Sequence, residues 1–451
     1  MIVTVVGTGY VGLVTGTCLA AHGHTVRCVE ISEERLQSIR AWKAPFYEPG
    51  LDELLRQELS SGRLSVTSDL SAALAASEIT LIAVGTPPQG EEPDLTQLET
   101  AAAQIGAALR TRGGYHVIVV KSTVVPGTTR NVVQTIVARE SGMPPGAFGL
   151  CMNPEFLREG SAVADFLHPD RIIIGQADNR SGNALEELYR PFACERLRVS
   201  IEEAELTKYA SNALLGTLIS FSNEMASLCE STSGADVETV MQGLYLDRRL
   251  SPVQNGVRIR PDILSYLRAG IGFGGSCLPK DVNALRSYAR RAGVATPMLD
   301  AVVAANDLRP ARVVAMAEAA LGGLSRKTIA LLGVAFKAGT DDLRSSPALS
   351  IFESLRSRGA SVQAYDPVVS GDVAQRAGLN GCYRSSIESA LRDADAAVIT
   401  TTESAFRSAD WARLAAAMRT PVVIDGRNLL HDVRLPDAVR YYSIGREMRL
   451  M

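Results

Sequence analysis

Ile2-Val3-Thr4-Val5-Val6-Gly7-Thr8-Gly9-Tyr10-Val11-Gly12 is the stretch whose reading decides the fold. Ile2–Val6 is a short, continuous apolar run, as expected of a strand buried on both faces of a parallel sheet. Three glycines follow in G-x-G-x-x-G spacing, then an alanine-containing helical stretch to His22, with Gly23 placed to end it. Thr25–Val29 reads as the next strand, and Glu30 stands at its end. A glycine triplet alone is weak evidence. Between a strand and a helix, with an acid after the second strand, it is a dinucleotide fingerprint. Gly7 permits the tight turn, Gly9 lets a pyrophosphate approach the backbone, and Gly12 lets helix and strand pack closely. The helix N-terminus adds amide donors and a positive dipole end. Glu30 can bind both ribose hydroxyls and repels a 2′-phosphate, which favours NAD over NADP; Arg35 nearby is the counter-signal.

Working outward, further apolar strands are expected at 79–84, 117–120 and 172–174, with helical patterns between them. A long helical region starts near Glu202 and is apolar around much of its circumference. An irregular excursion is expected over 250–261, and another helix from Pro297 to about Leu321. From Thr328 the opening pattern partly recurs: strand 328–332, a turn at Gly333, a helix from about Pro347, strand 361–364, and Asp366 where Glu30 stood. Strands also fit 397–400 and 422–424. The second turn lacks the G-x-G-x-x-G spacing, so the two ends are expected to hold different ligands. The predicted fold class is α/β: two doubly wound Rossmann-like parallel-sheet domains joined by a central long-helix region. The expected division is 1–200, 201–300 and 301–451.

Bulk properties agree with this and exclude other classes. At 451 residues the chain has room for about three domains of ~150 residues. A net charge of -3 gives no global basic field for nucleic acid. Seven cysteines without paired spacing point to a reducing cytoplasm. The apolar N-terminus has no basic leader, and the longest apolar helical stretch, 213–221, is too short to span a bilayer. The five histidines have no metal-ligand spacing with cysteines, so no metal is expected.

The chemistry-bearing segments lie elsewhere. Gly272-Phe273-Gly274-Gly275-Ser276-Cys277-Leu278-Pro279-Lys280-Asp281 puts a thiol at the end of a glycine loop, three residues before a lysine. A thiolate is a nucleophile, and a nearby cation favours it; the alternative is a structural cysteine in a tight turn. Thr86 and Lys121-Ser122-Thr123 follow predicted strands, where ligand crevices form. Asn153-Pro154-Glu155-Phe156-Leu157-Arg158-Glu159-Gly160 reads as a capped helical turn with Glu155 and Glu159 on one face. Lys208 and Asn212, four apart on a helix, can aim an ammonium and an amide at one developing oxyanion. Arg248, Arg249, Arg258, Arg260 and Arg268 form a local cationic segment suited to an anionic substrate; for Arg258 and Arg260 the reading is a solvated loop. Lys337 and Arg427 lie near strand ends of the last domain, where a nucleotide could dock.

These motifs together resemble the nucleotide-sugar dehydrogenases, the family of UDP-glucose and GDP-mannose 6-dehydrogenases, over almost the entire length. The motifs are Gly7–Gly12, Ser122-Thr123-Val124, Asn153–Gly160, Lys208-Tyr209-Ala210-Ser211-Asn212, Gly274–Asp281, and Phe336-Lys337 with Thr340–Arg344. The resemblance implies two NAD-dependent oxidations of a sugar C6 alcohol to a carboxylate, through a thiohemiacetal and a thioester on Cys277. It implies that Lys208 and Asn212 hold the charged oxygen. Glu155 and Thr123 serve proton transfer and hydrolysis, and Asp281 lies near the thiol. Cofactor positions matched are Gly7, Gly9, Tyr10, Val11, Gly12, Glu30, Arg35, Thr86, Ser122, Thr123, Glu159, Lys280 and Arg344. Around the sugar nucleotide it matches Glu155, Phe156, Leu157, Arg158, Glu159, Lys208, Asn212, Tyr266, Leu267, Arg268, Gly274, Phe336, Lys337 and Arg427. Arg249 matches an arginine that reaches the neighbouring subunit's site, which implies a homodimer.

The stretch Phe166–Gly175 looks closer to the UDP-glucose branch, so UDP-glucose is the expected substrate and GDP-mannose the nearest alternative. No nucleic-acid or membrane partner is expected. A two-electron hydroxyacid dehydrogenase can share the fingerprint and a Lys-x-x-x-Asn pair but needs no cysteine loop. A non-catalytic nucleotide-sugar binder has no use for Cys277, Lys208 and Asn212 together.

Overall fold

The computed structural model describes residues 1–448. The chain divides into two compact units, Met1–Ser211 and Asn212 onward. The first is built on an eight-stranded sheet: β1 (Ile2–Val6), β2 (Thr25–Val29), β3 (Leu64–Thr67), β4 (Ile79–Ile82), β5 (Val117–Val120), β6 (Gly149–Met152), β7 (Arg171–Gln176) and β8 (Glu195–Ser200). Their spatial order is β8-β7-β6-β5-β4-β1-β2-β3. The run β3-β2-β1-β4-β5-β6 is the dinucleotide-binding order, which reverses between β1 and β4. Pairing is parallel throughout except between β6 and β7, where Cys151 pairs with Gln176 and Met152 with Gly175 in antiparallel sense. β1, β4, β5 and β6 are buried or nearly so along their whole length, because helices cover both faces of the sheet. That is why β1, β4 and β5 read as runs of Val, Ile and Leu broken only by Thr4 and Thr80. Two apolar clusters form the core, one around Val3, Val5 and Leu13, the other around Ile82, Ile118 and Val120.

The second unit contains a five-stranded parallel sheet: β9 (Thr328–Leu332), β10 (Ser361–Tyr365), β11 (Ala396–Ile399), β12 (Val422–Asp425) and β13 (Arg440–Ser443). The order is β10-β9-β11-β12-β13, the other common doubly wound arrangement, which reverses between β9 and β11.

The helices that matter here are α1 (Tyr10–Ala21), α2 (Ile201–Glu230), α3 (Val237–Tyr245), α4 (Leu278–Arg291), α5 (Pro297–Leu321) and α6 (Pro347–Ser357). At 30 residues, α2 is about 45 Å long, and the division between the units falls within it. Among the described residues no helix is long and apolar enough to cross a membrane.

Two expectations are corrected. Residues 153–158 are not helical; the helix begins at Ala162. Asn153 does not cap it, because its amide is drawn into the sheet: Nδ2 donates to the Ile173 carbonyl at 2.8 Å, and Oδ1 accepts from Lys121 and Tyr189. Glu155 and Glu159 therefore share no helical face. The excursion at 250–261 contains a small hairpin, 253–254 against 257–258. Its turn is Asn255-Gly256, both at positive φ (50° and 79°), a dipeptide that favours tight hairpins. Strands β3, β6, β8 and β13 were not expected, being less uniformly apolar or flanked by loops.

Candidate active site

In the first unit the glycine turn is shaped by crowding. Gly7 has φ 93°, and a Cβ there would lie 2.8 Å from the Ala83 carbonyl oxygen. A Cβ on Gly12 would lie 2.0 Å from the Gly7 carbonyl oxygen. Gly9 differs: beyond its two chain neighbours, no protein atom lies within 4 Å of its Cβ position. The turn thus packs tightly behind and stays open in front. No side chain caps α1 and its first turn carries no acid, so its N–H groups and dipole face outward. These features fit a dinucleotide's pyrophosphate.

Glu30 closes the other end of this crevice. Its Oε2 accepts from the Thr8 N–H and hydroxyl at 3.1 and 2.6 Å, and its Oε1 from the Ile31 and Ser32 N–H groups at 2.8 and 2.9 Å. Burial alone would raise its pKa, but these bonds outweigh it and hold the carboxyl below its usual value. Arg35 lies 3.6 Å away and is half exposed. Thr86 donates to the Thr123 carbonyl at 2.9 Å, and Ser122 to the Val84 carbonyl at 2.7 Å, tying the loops after β4 and β5 together.

Tyr10 is engaged within the protein. Its hydroxyl donates to Glu48, a buried acid that also accepts from the Gly160 and Ala162 N–H groups at 2.7 Å each. Nothing in the sequence marked Glu48, whose backbone partners Gly160 and Ala162 lie more than a hundred residues downstream. Arg158 forks onto Asp165 at 2.6 and 3.0 Å.

Glu155 and Lys208 meet in a buried ion pair, Nζ to Oε1 2.9 Å, with both side chains at most 6% exposed. Glu155 Oε2 also accepts from the Leu157 N–H at 2.7 Å. Burial opposes its ionisation, yet Lys208, that N–H and the charge of Lys121 together hold it below the ordinary glutamate value. Lys208 Nζ stands 5.5 Å from the Phe156 ring centroid. Lys121 is a third member, named in the sequence only as part of a strand end and given no role there. Its Nζ donates to Asn153 Oδ1 at 2.9 Å, and burial pushes its pKa down to about 8, a fall resisted by Glu155 and furthered by Lys208. The signal was a lysine directly after an apolar strand, at the sheet's carboxyl edge.

In the second unit, Cys277 is the residue preceding α4 and is half-buried. A helix N-terminus favours negative charge. Its Sγ lies 3.5 Å from the Ser276 hydroxyl. Burial pushes the Cys18, Cys28 and Cys151 thiols up to about 12. Asp281, one turn on and 1% exposed, accepts from Lys280 Nζ at 2.5 Å and from Asn212 Nδ2 at 2.6 Å. Lys208 and Asn212, four apart on α2, are thus each held by a carboxylate.

The glycines before the thiol are required by contact. A Cβ on Gly274 would lie 2.2 Å from the Ser345 carbonyl oxygen, and one on Gly275 2.8 Å from the Phe336 ring. The Gly275 N–H donates to the Arg344 carbonyl at 3.0 Å. The Arg344 side chain is exposed and forks onto Asp342, while Lys337 Nζ lies 5.6 Å from the Phe336 ring centroid. Arg427 is half-buried, with its guanidinium on three backbone carbonyls: Thr400 at 2.9 Å, Gly272 at 3.3 Å and Phe336 at 3.4 Å. Burial lowers its pKa to about 10. Leu267 is buried, and its carbonyl accepts from the Tyr245 hydroxyl at 2.6 Å; Arg268 is exposed. Arg249 is 88% exposed and paired with Asp247. Among the described residues no cluster of three His, Cys, Asp or Glu side chains could hold a metal ion.

Three family models match in chain order. The UDP-glucose/GDP-mannose dehydrogenase NAD binding domain covers residues 1–193, the central domain 202–308, and the UDP binding domain 330–432. The chain is 42% identical over 457 residues to a UDP-glucose 6-dehydrogenase of Pseudomonas aeruginosa, covering 98% of this chain and 97% of that one. It is 40% identical over 447 residues to UDP-glucose 6-dehydrogenase TuaD of Bacillus subtilis, covering 98% and 93%. A UDP-glucose dehydrogenase structure from Pyrobaculum islandicum superposes with a TM-score of 0.88 at 37% identity, covering 98% and 97%. The open glycine turn before α1, two doubly wound sheets and matches spanning nearly the full length lead to one assignment: the chain belongs to the UDP-glucose/GDP-mannose dehydrogenase family.

Proposed function

We propose that this protein oxidises UDP-glucose to UDP-glucuronate, using NAD twice per sugar. The observation that carries the reading is Cys277, a thiol placed at a helix N-terminus by a loop whose Gly272, Gly274 and Gly275 leave no room for a Cβ. A simple alcohol dehydrogenase needs no such group; a four-electron enzyme needs it to hold the aldehyde covalently. The choice of UDP-glucose rests on the names of the relatives at 40–42% identity.

The Gly7–Gly12 turn with Tyr10 and Val11, Glu30, Arg35, Thr86, Ser122 and Thr123 would hold the dinucleotide. Bound NAD supplies the hydride acceptor for each oxidation. In the first oxidation the C6 hydroxyl proton passes to a base, for which we assign Glu155 with Thr123, and the charge on oxygen is met by Lys208 and Asn212. The Cys277 thiolate then adds to the aldehyde carbon, forming a C–S bond and placing the negative charge on the same oxygen. Loss of the second hydride restores a carbonyl as a thioester. Water breaks the C–S bond, releasing the carboxylate and regenerating the thiol. Asp281, held between Lys280 and Asn212, orients the amide that faces this charge.

For the sugar nucleotide we assign Phe156, Leu157, Arg158, Glu159, Tyr266, Leu267, Arg268, Gly274, Phe336 and Lys337. Arg427 contributes by holding the carbonyls of Gly272 and Phe336. Glu159, Lys280 and Arg344 are assigned to the cofactor side. The three-part division at 200/201 and 300/301 goes with this reading. So do a cytoplasmic location, which suits the unpaired thiol chemistry, and a homodimer to which Arg249 contributes across the interface. The dimer has support in α2: Leu214, Phe221 and Leu228, seven residues apart and 43–55% exposed, form an uncovered apolar stripe.

The test is product stoichiometry with UDP-glucose and with GDP-mannose. Two NADH per UDP-glucose and UDP-glucuronate as product are expected, and Cys277→Ser should make no acid. Activity with GDP-mannose alone would overturn the substrate, and acid production by Cys277→Ser the covalent route.

A further inference from the structure

The backbone leading to Cys277 is held residue by residue from α5 and α2. Asn306 of α5 grips Phe273 at both ends: Oδ1 accepts from the Phe273 N–H at 2.7 Å, and Nδ2 donates to the Phe273 carbonyl at 3.1 Å. Arg309, one turn on and 3% exposed, donates from Nε to the Gly270 carbonyl at 3.0 Å. Asn223 of α2, 1% exposed, accepts from the Gly270 N–H at 2.7 Å. The Arg309 guanidinium also donates to the Asn223 carbonyl and the Ser227 hydroxyl, at 3.3 and 3.0 Å, locking the two helices together behind this segment.

Pro310 explains how α5 can offer this seat. It lies inside the helix and has no N–H, so the Asn306 carbonyl loses its helical donor. The segment 270–273 lies directly against this turn: a Cβ on Gly272 would meet Asn306 Oδ1 at 2.8 Å and its carbonyl oxygen at 3.4 Å. Gly272 has φ 102°, so glycine is needed there twice over. Below, Phe273 packs in a small cluster with Val282 and Val302. An amide that donates and accepts across one residue fixes that residue's peptide planes as a strand neighbour would. Four residues further on stands the thiol.

From this geometry we infer that Asn306 is a positioning residue for Cys277, with Arg309 and Asn223 as its supports. Asn306 sets where the glycine loop begins and therefore where Sγ meets the aldehyde carbon. This rests on the proposed covalent reading. Small misplacements of a reacting group cost large factors in rate, and here the loss falls on capture of the aldehyde.

The measurement is NADH formed per sugar consumed, with a hydroxylamine trap for free aldehyde, on wild type, Asn306→Ala and the near-isosteric Asn306→Asp. The ratio does not depend on the fraction of enzyme that is folded, so a merely structural role leaves it at two. Positioning predicts a ratio falling from two toward one, with trapped oxime rising in step and little change in the KM for NAD. A ratio of two with no oxime in both variants overturns the inference. So does loss of both oxidations in the variants while iodoacetamide alkylates Cys277 at the wild-type rate. Should Asn306→Ala fail to fold, Asn306→Asp, which keeps the volume and loses the Nδ2 donor, decides the question alone. A wild-type ratio of one refutes the covalent reading itself, separately from the role of Asn306.

Discussion

Lys208 and Glu155 show what one buried pair asks of its neighbours. Both side chains are nearly inaccessible, so each charge depends on the other. Lys208→Met leaves Glu155 ionised beside Lys121 alone, and Lys121 is already committed to Asn153. Removing one partner of a buried pair typically costs about 3–5 kcal/mol, and Lys121 should reduce that toward the lower value. Urea unfolding of the variant should show a loss in this range with an unchanged m-value. Wild-type stability in Lys208→Met would mean that Lys121 alone suffices to hold the carboxylate. The sequence made Lys208 and Glu155 visible as motif members. It did not show that they pair, since 53 residues of chain separate them.

At the scale of elements, acids hold the turns that bind. Glu30 accepts the Thr8 N–H, and Asp366, at the corresponding place after β10, accepts the Val334 and Ala335 N–H groups at 2.9 and 3.2 Å. The recurrence noticed in the sequence therefore has a common physical basis: an acid at the end of the second strand satisfies the turn after the first. Glu205 of α2 does the same for another loop. Fully buried, it accepts from the Gly127 and Thr129 N–H groups, the latter at 2.8 Å, next to the Lys121–Thr128 segment. Burial pushes its carboxyl up to about 7 despite those bonds, whereas an unfolded glutamate titrates near ~4.3. The folded state then binds the proton more tightly. Stability from this group is fully present below the unfolded value and is lost as pH rises through about 7. The difference amounts to about 4 kcal/mol. Between pH 4 and 8, wild type should lose stability relative to Glu205→Gln by roughly that much, read from melting curves of both proteins. A gap that stays constant with pH would remove Glu205 as the cause.

For the whole molecule, the stripe on α2 is the feature that a single chain does not explain. Leu214, Phe221 and Leu228 lie on one face because seven residues are close to two turns. A stripe on one long helix is self-complementary under a two-fold axis, as a closed dimer needs. Val240 and Leu244 of α3 are exposed too. On the homodimer proposed above, Phe221→Asp should shift sedimentation from dimer to monomer without changing the circular dichroism spectrum. A dimer that persists in Phe221→Asp and Leu214→Asp alike would place the interface elsewhere.

The sequence alone determined the α/β class, the strand–turn–helix opening, the ends of α5 and the candidate nucleophile. These are carried by local signals: apolar runs, glycine spacing, a proline at a helix start. It could not determine that 153–158 stays extended, because Asn153 caps a helix or joins a sheet depending on what lies beside it, and Lys121, Ile173 and Tyr189 do. Nor could it determine strand order, the antiparallel β6–β7 pairing, the Glu48 clamp or the seat made by Asn223, Asn306 and Arg309. Those depend on which distant polar groups are buried together, and a buried N–H or carboxylate takes whichever partner the tertiary fold provides.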